Sequence, residues 1–159
     1  MTNSNYYNDK NILVLGGSFG IGKELCKELS NFGSNLAIVA RSKDKIDNLC
    51  KTLNGNHLSI ASDVSKKSDV DKLSTILSKK WKNIDIIIFC VGAYRPMNID
   101  NFDLQTAKNI IDINLNSFLN FIDSFLPSFK EKKIGHLAII SSVAGYFGMP
   151  NSLAYGASK

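Results

Sequence analysis

Short apolar blocks alternate with longer segments of helical periodicity along the 159 residues of this chain. The blocks are apolar at successive positions and rich in β-branched residues, which is typical of strands buried on both faces of a parallel sheet. Five strands are predicted from them, over residues 12–15, 36–40, 58–61, 85–92 and 137–141. Because helices alternate with these strands, the pattern predicts an α/β fold with a doubly wound parallel sheet between two helical layers.

The helices between the strands differ in how clearly their ends are marked. The helix after the third strand is expected to begin at Ser65 or Ser68, because serine favours the N-cap, and to turn Ile76 toward the core. The longest helix is expected over residues 104–126 and is apolar on more than one face. Pro127 is expected to end it, because proline interrupts helical hydrogen bonding.

A glycine-dense turn joins the first strand to a helix whose apolar face includes Ile21 and whose end is marked by Gly33. Its spacing, Gly16-x-x-x-Gly20-x-Gly22, differs from the G-x-G-x-x-G of the older dinucleotide motif. Unpaired amides at a helix start attract phosphate, and glycine lets a diphosphate approach the backbone. A glycine-rich turn without a ligand is the alternative. The candidate cofactor contacts in this turn are Gly16, Ser18, Phe19, Gly20, Ile21 and Gly22.

Ligands of doubly wound sheets bind at the carboxyl ends of the strands. Arg41 follows the second strand, and Ala40 stands where an acid would contact a ribose hydroxyl. A guanidinium here can bind a 2′-phosphate, which favours NADP(H) over NAD(H). Asp63 could accept from an adenine amino group or cap the next helix, and the sequence leaves both roles open. The candidate contacts at these strand ends are Arg41, Ser42, Asp63, Val64, Cys90, Val91 and Gly92.

Tyr155 and Lys159 are four residues apart, so on a helix that begins near Tyr155 their side chains share one face. A lysine cation about 5 Å from a phenol favours the phenolate by roughly 3 kcal/mol at an effective dielectric constant of about 20. Such a tyrosine can exchange a proton near neutral pH. Ser142 follows the fifth strand and could hydrogen-bond a carbonyl oxygen. The alternative is an exposed helix face that carries this pair without chemistry.

Composition excludes several other classes of protein. Hydrophobic residues make up 44% and charged residues 21%, and the net charge of +5 comes from lysines scattered among acids, with no basic–aromatic stripe for nucleic acid. Cys26, Cys50 and Cys90 are widely spaced and the two histidines stand alone, so neither disulfides nor a metal site is predicted. No apolar run is long enough for a signal peptide or a membrane span, so a cytoplasmic protein without a membrane partner is expected.

The motifs described above, and the order in which they occur along the chain, resemble those of the classical short-chain dehydrogenase/reductase family, whose members have a Rossmann-like fold. The resemblance implies an NAD(P)-dependent oxidoreductase that acts on a small carbonyl or alcohol compound. It adds Asn114 to Ser142, Tyr155 and Lys159 as a catalytic tetrad. In the family the tyrosine is the acid/base, the serine orients the substrate and the asparagine holds a water of a proton relay. The lysine also binds the nicotinamide ribose, so Tyr155 and Lys159 count among the cofactor contacts.

Three features depart from the family pattern. Leu15 replaces a threonine, and Phe89 and Cys90 replace two asparagines that support the sheet and the ribose. The sequence stops at the lysine of the tetrad, so residues 10–159 are interpreted as an NAD(P)-binding domain that is incomplete at its C-terminal end, after a polar tail of residues 1–9. The full-length product is expected to be an oxidoreductase that forms homodimers or homotetramers. A dinucleotide-binding or interaction module without turnover is the alternative.

Overall fold

The structure, a computed structural model, describes residues 4–133 and 135–159. Five parallel strands form one sheet in the order β3-β2-β1-β4-β5. The strands are β1 Asn11–Leu15, β2 Asn35–Ala40, β3 Leu58–Ala61, β4 Ile86–Phe89 and β5 His136–Ile139. The helices are α1 Ser4–Tyr7, α2 Gly20–Asn31, α3 Lys43–Cys50, α4 Lys67–Lys80, α5 Leu104–Ile111, α6 Ser117–Lys132 and α7 Leu153–Ala157. The predicted Rossmann-like α/β fold is therefore confirmed.

Strand β1 lies in the middle of the sheet, where it pairs with β2 and β4, and its apolar residues alternate between two cores. Leu13 and Leu15 belong to the core that includes residues of α4 and α6, whereas Ile12 and Val14 belong to the core that includes residues of α2 and α3. Both faces of the strand are covered, which explains the unbroken apolar block in the sequence. The strand order reverses between β1 and β4, and ligands of such sheets bind at that point.

The long helix predicted over 104–126 differs from the structure. The helical segment runs from α5 through a π turn over Asp112–Asn116 into α6 without a gap. It continues past Pro127 to Lys132. Proline removes one amide donor, but Phe125 is buried and Phe129 packs on the same core. This packing outweighs the local cost of proline, so the prediction that Pro127 ends the helix is wrong.

The start of α4 also differs from the prediction. The helix begins at Lys67 with Lys66 at the N-cap position, and neither Ser65 nor Ser68 caps it. The Ser65 hydroxyl is already used, because it donates to Asp63 Oδ1 at 2.7 Å. The side chain of Ile76 is 41% exposed, so its predicted inward orientation is wrong.

The first helix after the glycine turn is rotated relative to its predicted apolar face. Ile21 is 60% exposed, whereas Gly22, Cys26 and Leu29 are buried against the sheet. A glycine at position 22 brings the helix so close to the turn that no side chain fits there, and this contact sets the buried face. The predicted stop at Gly33 is confirmed, since its φ of +77° is the left-handed conformation that glycine adopts at a helix end.

Residues of the polar N-terminal segment pack against the far end of α2. The Tyr7 ring stacks on Phe32 with 5.8 Å between the centroids, and the Ser34 hydroxyl donates to the carbonyl oxygen of Tyr7 at 2.8 Å. The amide of Asp9 donates to the carbonyl oxygen of Gly33 at 3.0 Å. Tyr7 and Asp9, within the segment predicted as a tail, are therefore in contact with the domain.

Candidate active site

A cleft of about 370 Å³ lies at the carboxyl ends of the strands, where the strand order reverses. Residues at the ends of all five strands line it, and so does every candidate cofactor contact predicted between residues 16 and 92. These residues are Gly16, Ser18, Phe19, Gly20, Ile21, Gly22, Arg41, Ser42, Asp63, Val64, Cys90, Val91 and Gly92. The fold therefore brings residues that are far apart in the sequence to one concave surface, as a binding site at this point requires.

The glycine turn forms the floor of the cleft, and its glycines are needed for two different reasons. Gly16 has a φ of +88°, and a methyl group on it would lie 2.8 Å from the carbonyl oxygen of Cys90. A methyl group on Gly22 would overlap the carbonyl oxygen of Gly16. Gly20 has a φ of +57° and nothing within 4 Å of such a methyl group. The turn is thus closely packed on its sheet side at two glycines and open at the third.

The start of α2 at this turn has no side-chain cap, since its N-cap residue is Phe19. Its first-turn amides therefore lack the side-chain acceptor that Ser, Thr, Asp or Asn would supply. Together with the helix dipole, uncapped amides favour an anion at this end of the helix. The local structure suits the diphosphate of a dinucleotide.

Arg41 and Lys45 supply positive charge at the outer end of the cleft, where β2 runs into α3. Both side chains are exposed. Lys43, which lies between them, is instead engaged by Asp47 Oδ1 at 2.6 Å and by the Ser59 hydroxyl at 2.7 Å. Lys45 is not among the cofactor contacts predicted from the sequence, although its position four residues after Arg41, in the first turn of a helix, indicates that the two side chains can lie close together.

Asp63 lies on the cleft wall after β3, and its carboxylate already has partners. Its Oδ1 accepts from the amide of Ser65 at 3.2 Å and from the Ser65 hydroxyl at 2.7 Å. The Lys66 ammonium lies 4.0 Å from Oδ2. Asp63 therefore stabilises the turn before α4. To accept a hydrogen bond from an adenine amino group as well, the carboxylate would use lone pairs that these partners leave free.

Tyr155 lies in α7, and Lys159 follows two residues after the end of that helix. The Lys159 Nζ is 5.7 Å from the centroid of the Tyr155 ring. The same Nζ donates to the carbonyl oxygen of Ile140, just after β5, at 3.3 Å. A methyl group on Gly92 would lie 3.3 Å from it, so the ammonium group borders the cleft at the end of β4. The two side chains are thus close together beside the cleft, but neither Tyr155 nor Lys159 is among the residues that line it.

Asn114 lies in the π turn and is buried. Its Oδ1 accepts from the amide of Ala93 at 2.7 Å, and its Nδ2 donates to the carbonyl oxygen of Ala93 at 3.0 Å and to the Ser158 hydroxyl at 2.8 Å. Both amide protons are therefore used within the protein. The side chain joins the loop after β4 to the helix of Tyr155, and π turns are often found at functional sites.

Ser142 lies after β5, at the start of a short 3₁₀ turn over Val143–Gly145. Its hydroxyl oxygen accepts from the amide of Ala144 at 3.2 Å, which caps this turn. The bond uses a lone pair of the hydroxyl oxygen, so the O–H proton can still be donated to a bound group. Neighbouring Ser141 is used differently, because its hydroxyl donates to the carbonyl oxygen of Lys159 at 3.2 Å.

Cys90 places a thiol where the family resemblance expects an asparagine. Burial raises the pKa of Cys90 to about 11, although the charge of Lys159 opposes this shift. Burial also raises the pKa of Cys26 to about 12, to which the neighbouring Cys90 and Cys50 contribute. Of the two, only Cys90 lines the cleft, and as a neutral thiol it makes this part of the cleft wall apolar.

The described residues contain neither a metal-binding cluster nor a membrane-spanning helix. Among residues 4–133 and 135–159, no three His, Cys, Asp or Glu side chains are grouped so that they could hold a metal ion. None of the helices in the same residues has both the length and the apolarity that a membrane crossing needs.

Comparisons with known proteins agree with this geometry. The sequence model of the short chain dehydrogenase family matches residues 10–159, and the chain belongs to that family. An uncharacterised oxidoreductase of Staphylococcus epidermidis is 26% identical over 151 residues, and one of Listeria monocytogenes is 32% identical over 154 residues. Each alignment covers 95% of this chain, which spans 66% of the length of the first relative and 62% of the second.

The fold is also found in solved structures. A short-chain dehydrogenase from Streptomyces avermitilis superposes with a TM-score of 0.88 at 19% sequence identity. The superposition covers 95% of this chain and 56% of that one. At this level of sequence identity, the similarity shows the fold alone.

Proposed function

We propose that the protein carrying this chain is an NADP(H)-dependent oxidoreductase acting on a small carbonyl or alcohol compound. The observation that carries the proposal is the position of the Lys159 ammonium group, which lies beside the Tyr155 ring and also borders the cleft at Gly92. A proton-transfer group thus lies next to a cleft suited to a dinucleotide. Membership of the short chain dehydrogenase family supports the same function.

The residues of the cleft fit a nicotinamide dinucleotide. The open glycine turn at Gly20 and the uncapped start of α2 suit the diphosphate, and Gly92 together with Lys159 suits the nicotinamide ribose. When bound, the cofactor supplies the hydride donor or acceptor. Phe89 and Cys90 contribute no polar contact of the kind that the family asparagines make, so the ribose would depend more on Lys159.

Tyr155 is proposed as the acid/base that gives a proton to the substrate oxygen during reduction and takes it back during oxidation. The ammonium group of Lys159 stabilises negative charge on the phenol oxygen. Ser142 donates its O–H to the substrate oxygen as charge develops there. Asn114 holds Ala93 and Ser158, and thereby the relative positions of the β4 loop and α7, and a relay water would be bound beside it.

The preference for NADP(H) rests on the outer end of the cleft. Arg41 and Lys45 are exposed there, whereas Lys43 is already paired with Asp47. These two cations, together with the alanine at position 40 in place of a carboxylate, favour a ligand with a 2′-phosphate. A mildly basic chain, with a net charge of +5, would also attract this anionic cofactor.

Partners and location are proposed along with the reaction. The exposed side chains of Tyr146, Phe147 and Met149 follow β5 and favour an apolar substrate. Leu115, Leu119 and other apolar residues are exposed along the π turn and α6, which is compatible with a homodimer or homotetramer. We propose a cytoplasmic enzyme that binds neither nucleic acid nor membrane.

A second candidate is a dinucleotide-binding module without turnover, which the apolar Phe89–Cys90 pair favours. Replacement of Tyr155 by phenylalanine separates the two. For the enzyme, Tyr155→Phe abolishes NADPH-dependent carbonyl reduction and leaves the Kd for NADPH within about fivefold, because the phenol oxygen carries the proton transfer and is only one of many cofactor contacts. Tyr6→Phe, far from the cleft, serves as the control. A wild-type protein that binds NADPH and reduces no carbonyl across a broad panel would favour the module, and turnover that persists in Tyr155→Phe would contradict the proposed acid/base.

A further inference from the structure

The loop after β4 is bound to the segment that leads into α7. The amide of Met97 donates to the carbonyl oxygen of Asn151 at 2.9 Å, and the amide of Leu153 donates to the carbonyl oxygen of Met97 at 3.3 Å. These bonds form a single parallel bridge between Met97 and Ser152. The Met97 side chain is buried with Ile110 and Ala154 in a small apolar cluster, so the loop is fixed to the first turn of α7.

Asn151 is the residue on which this contact is centred. Its φ is +56°, a left-handed conformation that few residues other than glycine adopt, though asparagine does so at the least cost. Besides Met97, its carbonyl oxygen accepts from the Tyr94 hydroxyl at 3.4 Å, and its side-chain oxygen accepts from Asn98 Nδ2 at 3.1 Å. Strained residues of this kind persist where the surrounding contacts hold them.

Tyr94 connects this contact to the proposed acid/base. Its ring packs edge-on against the ring of Tyr155, with 5.1 Å between the centroids and 75° between the planes. Its hydroxyl donates to the carbonyl oxygen of Asn151, and this bond ties the outer end of the Tyr94 side chain to the segment before α7. The Tyr155 ring is also packed against the cluster of Met97, Ile110 and Ala154. Tyr155 therefore contacts the ring of Tyr94 from the loop and also contacts the small apolar cluster.

We propose that Tyr94 is a positioning residue for Tyr155. Its edge-on ring limits the orientations of the Tyr155 phenol, and the hydrogen bonds of the loop to Asn151 hold Tyr94 in place. The inference rests on the proposed function, since Tyr155 must act on a substrate for its orientation to affect a rate. Small errors in the placement of a reacting group lower the rate of the chemical step more than they lower binding.

The test compares Tyr94→Leu, which removes the ring, with Tyr94→Phe, which keeps the ring and loses only the hydroxyl. Tyr6→Leu is the matched control, because Tyr6 also packs edge-on against a tyrosine, Tyr7, with 5.1 Å between the centroids and 88° between the planes, far from the site. In single-turnover hydride transfer, we expect Tyr94→Leu to be about five- to tenfold slower, with the Kd for NADPH within about twofold. Tyr94→Phe should recover most of the rate, and Tyr6→Leu should match the wild type. Tyr94→Met is used in place of Tyr94→Leu if that variant does not fold.

A second readout does not depend on turnover. In protein labelled with 3-fluorotyrosine, the ¹⁹F resonance lost in Tyr155→Phe identifies Tyr155, and Tyr94→Leu is expected to shift or broaden it while Tyr6→Leu leaves it unchanged. A Tyr155 resonance unaffected by Tyr94→Leu would overturn the inference, as would an unchanged rate or a Tyr94→Phe rate as low as that of Tyr94→Leu. A wild type without turnover, but with the expected spectral change, would overturn the proposed function and leave the ring contact supported.

Discussion

Replacement of Gly22 by alanine tests the packing of the glycine turn, because two local effects of opposite sign compete there. On helix propensity alone, alanine within α2 would stabilise the protein by about 1 kcal/mol. The structure opposes this gain, since the added methyl group would overlap the carbonyl oxygen of Gly16. It would also lie 3.0 Å from the carbonyl carbon of Gly16 and 3.3 Å from the Cβ of Cys90.

The steric effect should be the larger of the two. Carbon atoms pack best at about 3.5–4.0 Å, so the start of α2 would have to move away from the turn by about half an ångström or more. Overpacking of this kind costs about 1–3 kcal/mol, and two of the atoms concerned are backbone atoms that cannot rotate away. Because backbone atoms are involved, the cost should lie in the upper part of this range, at about 2–3 kcal/mol. After subtraction of the gain in propensity of about 1 kcal/mol, we expect a net loss of about 1–2 kcal/mol and a fall in Tm of about 2–8 °C.

Thermal and urea denaturation measure this loss, and titration with NADPH measures the effect on the turn, where a higher Kd is expected. Gly148→Ala is the matched control, because nothing lies within 4 Å of its added methyl group. This control should stay within about 0.5 kcal/mol of the wild type. A Gly22→Ala protein as stable as the wild type or more so, with unchanged affinity for NADPH, would refute the close contact between turn and helix.

Two further predictions concern a buried and a partly buried hydrogen bond. Ser158→Ala removes one of the two acceptors of Asn114 Nδ2 and leaves one of its buried N–H groups unpaired, which should cost about 1–3 kcal/mol in urea denaturation. Ser141→Ala, at an exposed position, should cost less than about 0.5 kcal/mol, and equal losses would contradict the role of Ser158. Burial lowers the pKa of His57, whose Nδ1 accepts from the amide of Leu36. Because the folded pKa lies below the unfolded value near 6.5, the stabilisation is present above about pH 6.5 and is lost as the pH falls through the folded pKa. The free energy of unfolding should therefore decrease between about pH 7 and 5, and His57→Asn should reduce this slope; an equal slope in both proteins would contradict the assignment.

The sheet could be predicted from the sequence because strands buried on both faces carry unbroken apolar blocks. The glycine turn, Arg41 and Asp63 each follow one of these strands. Because parallel strands all end on the same side of the sheet, the sequence also predicts that these residues lie together at the carboxyl ends of the strands. These inferences need only local patterns and the rule that crossover connections are right-handed. They hold without knowledge of any individual contact.

The parts that could not be predicted depend on contacts between distant residues. Pro127 lies inside α6 because Phe125 and Phe129 are packed on the core, and this packing is invisible in the local sequence. The π turn around Asn114 is matched to the Ala93 backbone and to Ser158, which are 21 and 44 residues away. Such features are set by tertiary structure, which overrides the propensity of the segment.

The most direct test of the central claim is a calorimetric titration of the protein with NADPH and NADH. We expect the cleft at the carboxyl ends of the strands to bind both nucleotides, and to bind NADPH about tenfold or more tightly than NADH because Arg41 and Lys45 contact the 2′-phosphate. Equal affinities would contradict the preference for NADP(H). If a folded protein bound neither nucleotide at millimolar concentration, the assignment of the cleft as a dinucleotide site would be wrong.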